Sequence, residues 1–313
     1  MKVEHSEKNL LMQIANGFRA SRGIRKNLDG EALVELANQV VESKPEQEKT
    51  VEITENGTME IAADEGKALS KITAVVNVPI SAESKISQFI DGTITEITAE
   101  DFAGITSIGE YGLAYRINLT SVTIPNNIMS IGKNAFEGCK KLKSVTIPDS
   151  ITTLGESMFY LCYGLVNITI PNSVKYLGTN VFYYCKGLKN IILPDSIVAI
   201  PNNAFRYCES LTSVTIGSGV KNIGIGSFAA CDNLTSIVIP NNVEYINSSG
   251  LLIGSPTNKG TIIFLGTTPP SISSGAFGTN YLNKIIVPKG CGEAYKTATN
   301  WANFADFIEE AAE

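Results

Sequence analysis

The sequence predicts an α/β repeat: a right-handed solenoid of stacked coils with a parallel β-sheet on one side, preceded by a small helical segment and a small β module. Two observations predict it. "LTSVTIPNNIMSIGKNAFEGCKK" at residues 119–141 is followed at once by "LKSVTIPDSITTLGESMFYLCYG" at 142–164, so the same letters return after 23 residues. The step then persists through Phe136, Phe159, Phe182, Phe205 and Phe228, through Cys139, Cys162, Cys185, Cys208 and Cys231, and through leucines from Leu119 to Leu234. A fixed period of this kind marks a stacked architecture, because one coil cannot bury its own apolar edge whereas a stack can.

Within one copy, Leu142, Val145 and Ile147 have the L-x-x-L-x-L spacing of a leucine-rich-repeat strand. Alternation places Val145 and Ile147 on one face, with Ser144 and Thr146 on the other. Pro148 ends the strand because it cannot donate a ladder hydrogen bond. Prolines 125, 171, 194 and 240 keep the same step, with Gly217 filling the gap. Ile151 and Leu154 then carry the chain back across the core, Gly155 allows a turn, and "ESMFYLC" adds Phe159 and Cys162. Coils stacked at about 4.8 Å bring equivalent positions into ladders, Phe on Phe and Cys on Cys. The cysteines have three readings. A disulfide scaffold is disfavoured because five ladder cysteines cannot pair off. Zinc needs close pairs such as C-x-x-C, which are absent from the sequence. A small, polarizable core residue is the reading retained. Arg116 and Gly254, one step before and after the ladder, show that the fold does not demand a thiol there, and Cys291 lies outside it.

The remaining elements divide the chain. Residues 1–44 form a helical segment, with one helix over 6–19 and a second capped by Asp29. Residues 45–80 form a small β module of three strands, a hairpin around Asn56-Gly57 plus a strand. Such a module is small to stand alone, so docking on a neighbour or homo-oligomerisation is expected. Residues 81–118 hold the N-terminal cap and degenerate first repeats, with Leu113 in the phenylalanine column. Regular repeats span 119–254. Residues 255–313 carry degenerate last repeats, in which Phe277, Leu282, Ile285 and Val287 recover the motif, and an amphipathic helical cap with the only tryptophan, Trp301.

Charge excludes some classes. The net charge of −6 arises in residues 51–100, which hold 3 basic against 9 acidic residues, while the repeats are neutral. No basic stripe is present to displace counterions from a phosphate backbone, so no nucleic-acid partner is expected. No run approaches the ~18 apolar residues of a membrane span. Residues 1–21 lack the apolar core and cleavage site of a secretory signal, and no anchor signal closes the sequence.

Catalytic chemistry finds little material. His5 is the only histidine, which argues against a histidine-based triad, a histidine-rich metal site or an imidazole base. The glycines around Gly224 and Gly226 belong to a repeat turn, not to a phosphate cradle. No carboxylate pair is placed for glycoside hydrolysis. No catalytic residue, cofactor or metal is assigned, and no enzymatic activity is expected. Five N-x-S/T sequons, beginning at Asn56, Asn118 and Asn167, follow from the Ser/Thr content of the repeats.

Binding surfaces are the better search. Ser121, Ser144, Asn167, Asn190, Ser213 and Ser236 run beside Thr123, Thr146, Thr169 and Thr215 as ladders of small polar groups. They fit a ligand-binding face or simply a solvated sheet, and the second reading is favoured. The turn near the cysteines is more distinctive. Tyr160 and Tyr183 share one column, Tyr184 and Tyr207 lie in others, and Tyr163 and Arg206 are nearby, whereas flanking copies have Glu137 and Gly138, or Ala229 and Ala230. These aromatics make either an interface or rings packed over the core edge.

The pattern "LxSVTIPxxIxxIGxxAFxxC", with the ending "TPP…AF…VPKG…AY…W", resembles the BspA-like leucine-rich repeats of bacterial surface proteins over residues 89–310. That resemblance implies the solenoid and a partner that is a protein or a cell-surface glycan. Residues 49–79, "KTVEITENGTMEIAADEGKALSKITAVVNVP", resemble modules of phage and prophage tail or structural proteins of gut bacteria. This implies N-terminal attachment to a larger assembly. The expected function is a non-enzymatic recognition protein on a phage or prophage tail. The alternatives are a bacterial cell-surface adhesin and a structural decoration protein.

Overall fold

The computed structural model describes residues 93–102 and 104–312, with the backbone of 48–50 and 71–73. The repeats form a parallel-strand solenoid of about nine turns with few helices. Along one side Ser121–Thr123 pairs with Ser144–Thr146, and Asn190–Leu193 with Ser213–Ile216. Each residue faces the one 23 positions further on, Ser121 opposite Ser144 and Ile191 opposite Val214. The alternation holds: Val145 and Ile147 are buried while Ser144 and Thr146 are exposed.

Leu154 was expected only to carry the chain back across the core. Instead it ends a two-residue strand, Thr153–Leu154, which pairs in parallel with Tyr176–Leu177. Equivalent pairs at Ser107–Ile108 with Ser130–Ile131, and at Ala199–Ile200 with Asn222–Ile223, make a second short ladder. The turn side is laced as well. The amides of Asn134, Phe136 and Gly138 donate to the carbonyls of Glu156, Met158 and Tyr160 in the next coil, at 2.9, 2.9 and 2.8 Å. Ser157, Phe159 and Leu161 repeat the pattern one coil on, each at 2.9 Å. The coils therefore bond to their neighbours through the main strand, the second strand and the turn, although residues 165–170 form no strand and the main ladder is divided into separate sheets. Glycine also serves close approach of successive coils in the column of Gly155: a methyl group on Gly132 would lie 2.5 Å from the Glu110 amide nitrogen and one on Gly178 2.3 Å from that of Glu156, while at Gly155 the nearest atom is 3.3 Å away.

The interior is a lattice. The rings of Phe136, Phe159, Phe182, Phe205 and Phe228 are fully buried and stack face to face with centroids 5.3–5.4 Å apart. The five ladder cysteines are free thiols and fully buried. Each also makes a directional contact that residue type alone did not reveal. The Sγ of Cys162, Cys185, Cys208 and Cys231 donates to the carbonyl of Phe136, Phe159, Phe182 and Phe205, one coil back, at 3.1–3.3 Å, and Cys139 donates to Leu113 at 3.0 Å. A thiol fits because it fills an apolar site and still gives a buried carbonyl a weak donor. On another side of the coil, the hydroxyls of Ser150, Ser173 and Ser196 donate to carbonyls of the previous coil at 2.6–2.7 Å.

The ends depart from the regular period. Glu96–Ile97 is the first strand of the main ladder, opposite Ser121 and Val122. After Ile253 the loop at 255–259, closed by an antiparallel bridge between Gly254 and Lys259, adds two residues to the period, so Val238 faces Ile263, 25 positions on instead of 23. Residues 293–310, expected as an amphipathic helical cap, fall instead into three elements that begin at Gly292. These are an α-helix at Gly292–Thr297, a 3₁₀ helix at Ala302–Phe307, and a strand at Ile308–Glu310 that extends the main ladder. The break lies at Ala298, which is extended, and Asn300, which is left-handed with φ 68°. It lets two aromatics descend onto the last coil. Tyr295 donates its hydroxyl to Gly266 at 2.7 Å, and the Trp301 indole donates to Pro270 at 2.9 Å. Glu310 then clasps the helix start, accepting from the amides of Gly290 at 2.9 Å and Gly292 at 2.8 Å.

In the N-terminal part, Glu48–Thr50 pairs in parallel with Lys71–Thr73. The hairpin around Asn56-Gly57 and the helices expected in residues 1–44 lie outside the described residues.

Two tests follow from the ladders. Burial pushes the thiols of Cys162, Cys185, Cys208 and Cys231 well up, whereas Cys291 is partly exposed. Native protein should therefore present one fast thiol of six to an aromatic disulfide reagent, and all six after denaturation. More than one fast thiol would contradict the packing. The two amides hold the Glu310 carboxyl below its usual range. The clasp should thus contribute fully above about pH 4.3 and be lost as pH falls through the lower folded value. Glu310→Gln should remove that acid limb from a plot of Tm against pH.

Candidate functional site

Two positions in each turn have a left-handed backbone. One column contains Asn134, Ser157, Asn180, Asn203 and Gly226, with φ between 52° and 62°. The other contains Gly138, Leu161, Tyr184, Tyr207 and Ala230, with φ between 58° and 70°. Asparagine tolerates this region, but an ordinary side chain raises the energy by about 1–2 kcal/mol. Gly138 avoids that cost and also leaves room for the Tyr115 ring, whose Cδ1 would lie 2.5 Å from an added methyl. Tyr184 and Tyr207 accept the strain, and their rings stack 4.5 Å apart with planes 6° from parallel.

The structure brings all six sequence-predicted residues of this face together. Tyr160 stacks on Tyr183 at 5.3 Å, and Tyr183 meets Tyr184 edge-on at 4.9 Å and Tyr207 at 5.6 Å. Tyr163 completes the group, 6.5 Å from Tyr184. Arg206 lies over the Tyr207 ring at 5.2 Å, and its Nη1 donates to Asn203 at 3.4 Å. All six are half-buried. The ring bodies pack on one another, and one side of the cluster stays wet. Burial raises the hydroxyls of Tyr160 and Tyr183, aided at Tyr160 by Glu137 and opposed at Tyr183 by Arg206, so both are hydrogen-bond donors at neutral pH.

Sequence reasoning missed the cations and the polar trough beside the cluster. Lys140 lies 6.0 Å from the Tyr163 ring and Lys186 5.6 Å from Tyr184, while Lys186 also pairs with Glu209 at 2.8 Å. A column view would have shown the trough, because Asn134 and Asn180 recur in register and Glu137 takes the place of Tyr160. A cleft of about 300 Å³ opens there, lined by Tyr111, Lys133, Asn134, Glu137, Glu156, Ser157, Tyr160 and Asn180. Glu137 is buried and accepts from the Tyr115 hydroxyl and from Asn134 Nδ2, the latter at 2.6 Å.

The polar comb on the strand face is less continuous than its sequence suggested. Ser144, Asn167, Asn190, Ser213 and Ser236 are exposed, as are Thr146, Thr169 and Thr215, but Ile192 and Val238 interrupt the threonine column at 66% and 42% exposure. Among the described residues no helix is long and apolar enough to cross a membrane, and no cluster of three or more metal-ligating side chains is present.

Comparison with known proteins follows this geometry. The BspA type leucine rich repeat region, in six copies, matches residues 106–200, 154–252 and 176–301, together more than half of the chain. No curated protein matches. A leucine-rich repeat protein from Bacteroides ovatus is similar at 25% identity and a TM-score of 0.45, over 58% of this chain and 59% of that one. The chain thus spans about three fifths of that relative. A leucine rich cell surface protein from Faecalibacterium prausnitzii is similar at 18% identity and TM-score 0.28, over 70% and 82% of the two chains. The pneumococcal vaccine antigen PcpA is similar at 15% identity and TM-score 0.27, over 71% and 78%.

The left-handed column makes its own prediction. Ala230 has φ 58° and is half-exposed, so Ala230→Gly relieves backbone strain at the loss of one methyl. Against the extra unfolded-state entropy of glycine, a net gain of about 0.5–1 kcal/mol is expected, a rise of ~1–4 °C in Tm. A lower Tm would contradict the strain.

Proposed function

This chain belongs to the BspA-type leucine-rich-repeat family, and from that premise we propose that it is a non-enzymatic recognition protein whose turn face, centred on Tyr183 and Tyr184, meets a partner at a cell surface. The supporting observation is the mutual packing of Tyr160, Tyr163, Tyr183, Tyr184, Tyr207 and Arg206, with Tyr184 and Tyr207 at left-handed positions that Gly138, Leu161 and Ala230 occupy in other coils. Half-buried tyrosines with a stacked arginine are the composition that dominates binding hot spots. Their rings are also held in place before any partner arrives, which lowers the ordering cost of binding. Strain kept at one face, when Gly138 shows a strain-free solution, fits a functional demand on that face.

Of the settings open to such a protein, family membership supports the cell surface, as an adhesin. Attachment of the N-terminal region to a larger assembly, a phage or prophage tail, rests on the sequence resemblance of residues 49–79. A decoration protein that binds nothing further would leave the tyrosine cluster without a purpose.

The double variant Tyr183→Ser/Tyr184→Ser tests the recognition reading. Adsorption of the purified protein to gut-bacterial and epithelial cells should fall about tenfold or more, as loss of a hot spot implies, while the circular dichroism spectrum stays unchanged. Unchanged adsorption by the folded variant would contradict the assignment.

A further inference from the structure

The trough beside the tyrosine cluster identifies a class of ligand. Its lining contains no aliphatic side chain, so the apolar anchors that protein partners insert at an interface would find no pocket. Its charges are mixed. Glu137 and Glu156 outnumber Lys133, which itself pairs with Glu110 at 3.4 Å, so the cleft is weakly acidic and repels anions, while Glu137 is already engaged and one open carboxylate is too few to hold a polycation. A nucleic acid needs several uncommitted cations, and none is offered in this cleft. What the cleft presents is hydrogen-bonding capacity at fixed positions. The Glu156 carboxylate and the Asn180 side-chain amide have no hydrogen-bond partner among the described residues, and Glu137 is held by Tyr115 and Asn134 with acceptor capacity to spare. Tyr160 forms one wall, stacked on Tyr183 along the solenoid axis.

These groups repeat with the coils. Asn134, Ser157 and Asn180 share one left-handed column, so the floor offers a polar group per coil at the 5.3–5.4 Å spacing of the phenylalanine ladder. An extended β-linked sugar chain advances by a similar length per residue. It carries hydroxyls for carboxylates and amides, and apolar ring faces for tyrosine, without net charge. We infer that this trough binds a neutral, extended β-linked oligosaccharide running along the solenoid, with Glu137, Glu156, Asn134 and Asn180 taking its hydroxyls and Tyr160 packing against a ring. The inference rests on the recognition reading and names the ligand of that same face.

Titration calorimetry of the full chain with cellohexaose, mannohexaose and xylohexaose tests it, with a heparin hexasaccharide and an arginine-rich peptide as charged controls. At least one neutral hexasaccharide should bind and the charged probes should not. Tyr160→Ala, and separately the surface changes Glu156→Ala and Asn180→Ala, should each weaken binding about tenfold, while Tyr245→Ala, an exposed tyrosine outside the face, leaves it unchanged. Circular dichroism of each variant checks folding. Absence of binding by all three neutral probes, binding that survives Glu156→Ala and Asn180→Ala in folded protein, or preference for either charged probe would overturn the inference. If the glycans fail while adsorption still depends on Tyr183 and Tyr184, the sugar assignment ends and the recognition reading stands.

Discussion

A coil in this protein has almost no partner but the coils above and below it. Backbone amides on the main strand, on the short second strand and in the turn all bond to the adjacent coil, at positions fixed by the 23-residue register. The same register stacks five phenylalanine rings and aims four thiols at the phenylalanine carbonyls one coil back. A slip of one residue would turn every strand side chain to the opposite face and break all of these contacts together. The register is therefore the constraint on which interior, ends and tyrosine face all depend.

From that constraint follows a division of labour among columns. The phenylalanine column is closed to variation, because its rings stack on one another, whereas the buried column beside it passes through Ala135, Met158, Val181, Ala204 and Ser227. Phenylalanine recurs unchanged from 136 to 228, while the turn column beside it passes through Glu137, Tyr160, Tyr183, Arg206 and Ala229. The second kind of column is where this chain departs from a uniform rod. Its middle coils carry the tyrosines, and the cations fall beside them on equivalent turns. Polar ladders lie outside both, and their ion pairs, such as Lys221 with Glu244 at 2.9 Å, are exposed and stabilise little.

Much of this was legible in the residues. The period and the alternation within "SVTI" determine the coil, the parallel pairing and the buried columns, since each depends on apolar spacing alone. The tyrosine cluster was legible as a set of neighbours for the same reason. What escaped depends on geometry finer than spacing. The second ladder is two residues per coil, too short to show alternation. The thiol-to-carbonyl bonds need the turn's path, which Arg116 and Gly254 in the same column do not betray. The left-handed conformation was hidden by tyrosine, leucine and alanine, residues that do not advertise it, at positions where only Gly138 does. The broken C-terminal helix was missed because Trp301 and Tyr295 sit at amphipathic spacing, yet both must reach the last coil, and their hydrogen bonds to Pro270 and Gly266 outweigh the lost helical turn.

Register is also what a direct experiment can vary. Deleting residues 165–187 removes one whole coil of 23 residues, whereas deleting 165–186 removes all but one residue of it. The first deletion should melt cooperatively, with native-like circular dichroism per residue, because Gly164 then meets Leu188 as it formerly met Leu165. The second should lose its cooperative transition. If both deletions fold equally well, or both collapse, stacking in a fixed register is not what holds this molecule together.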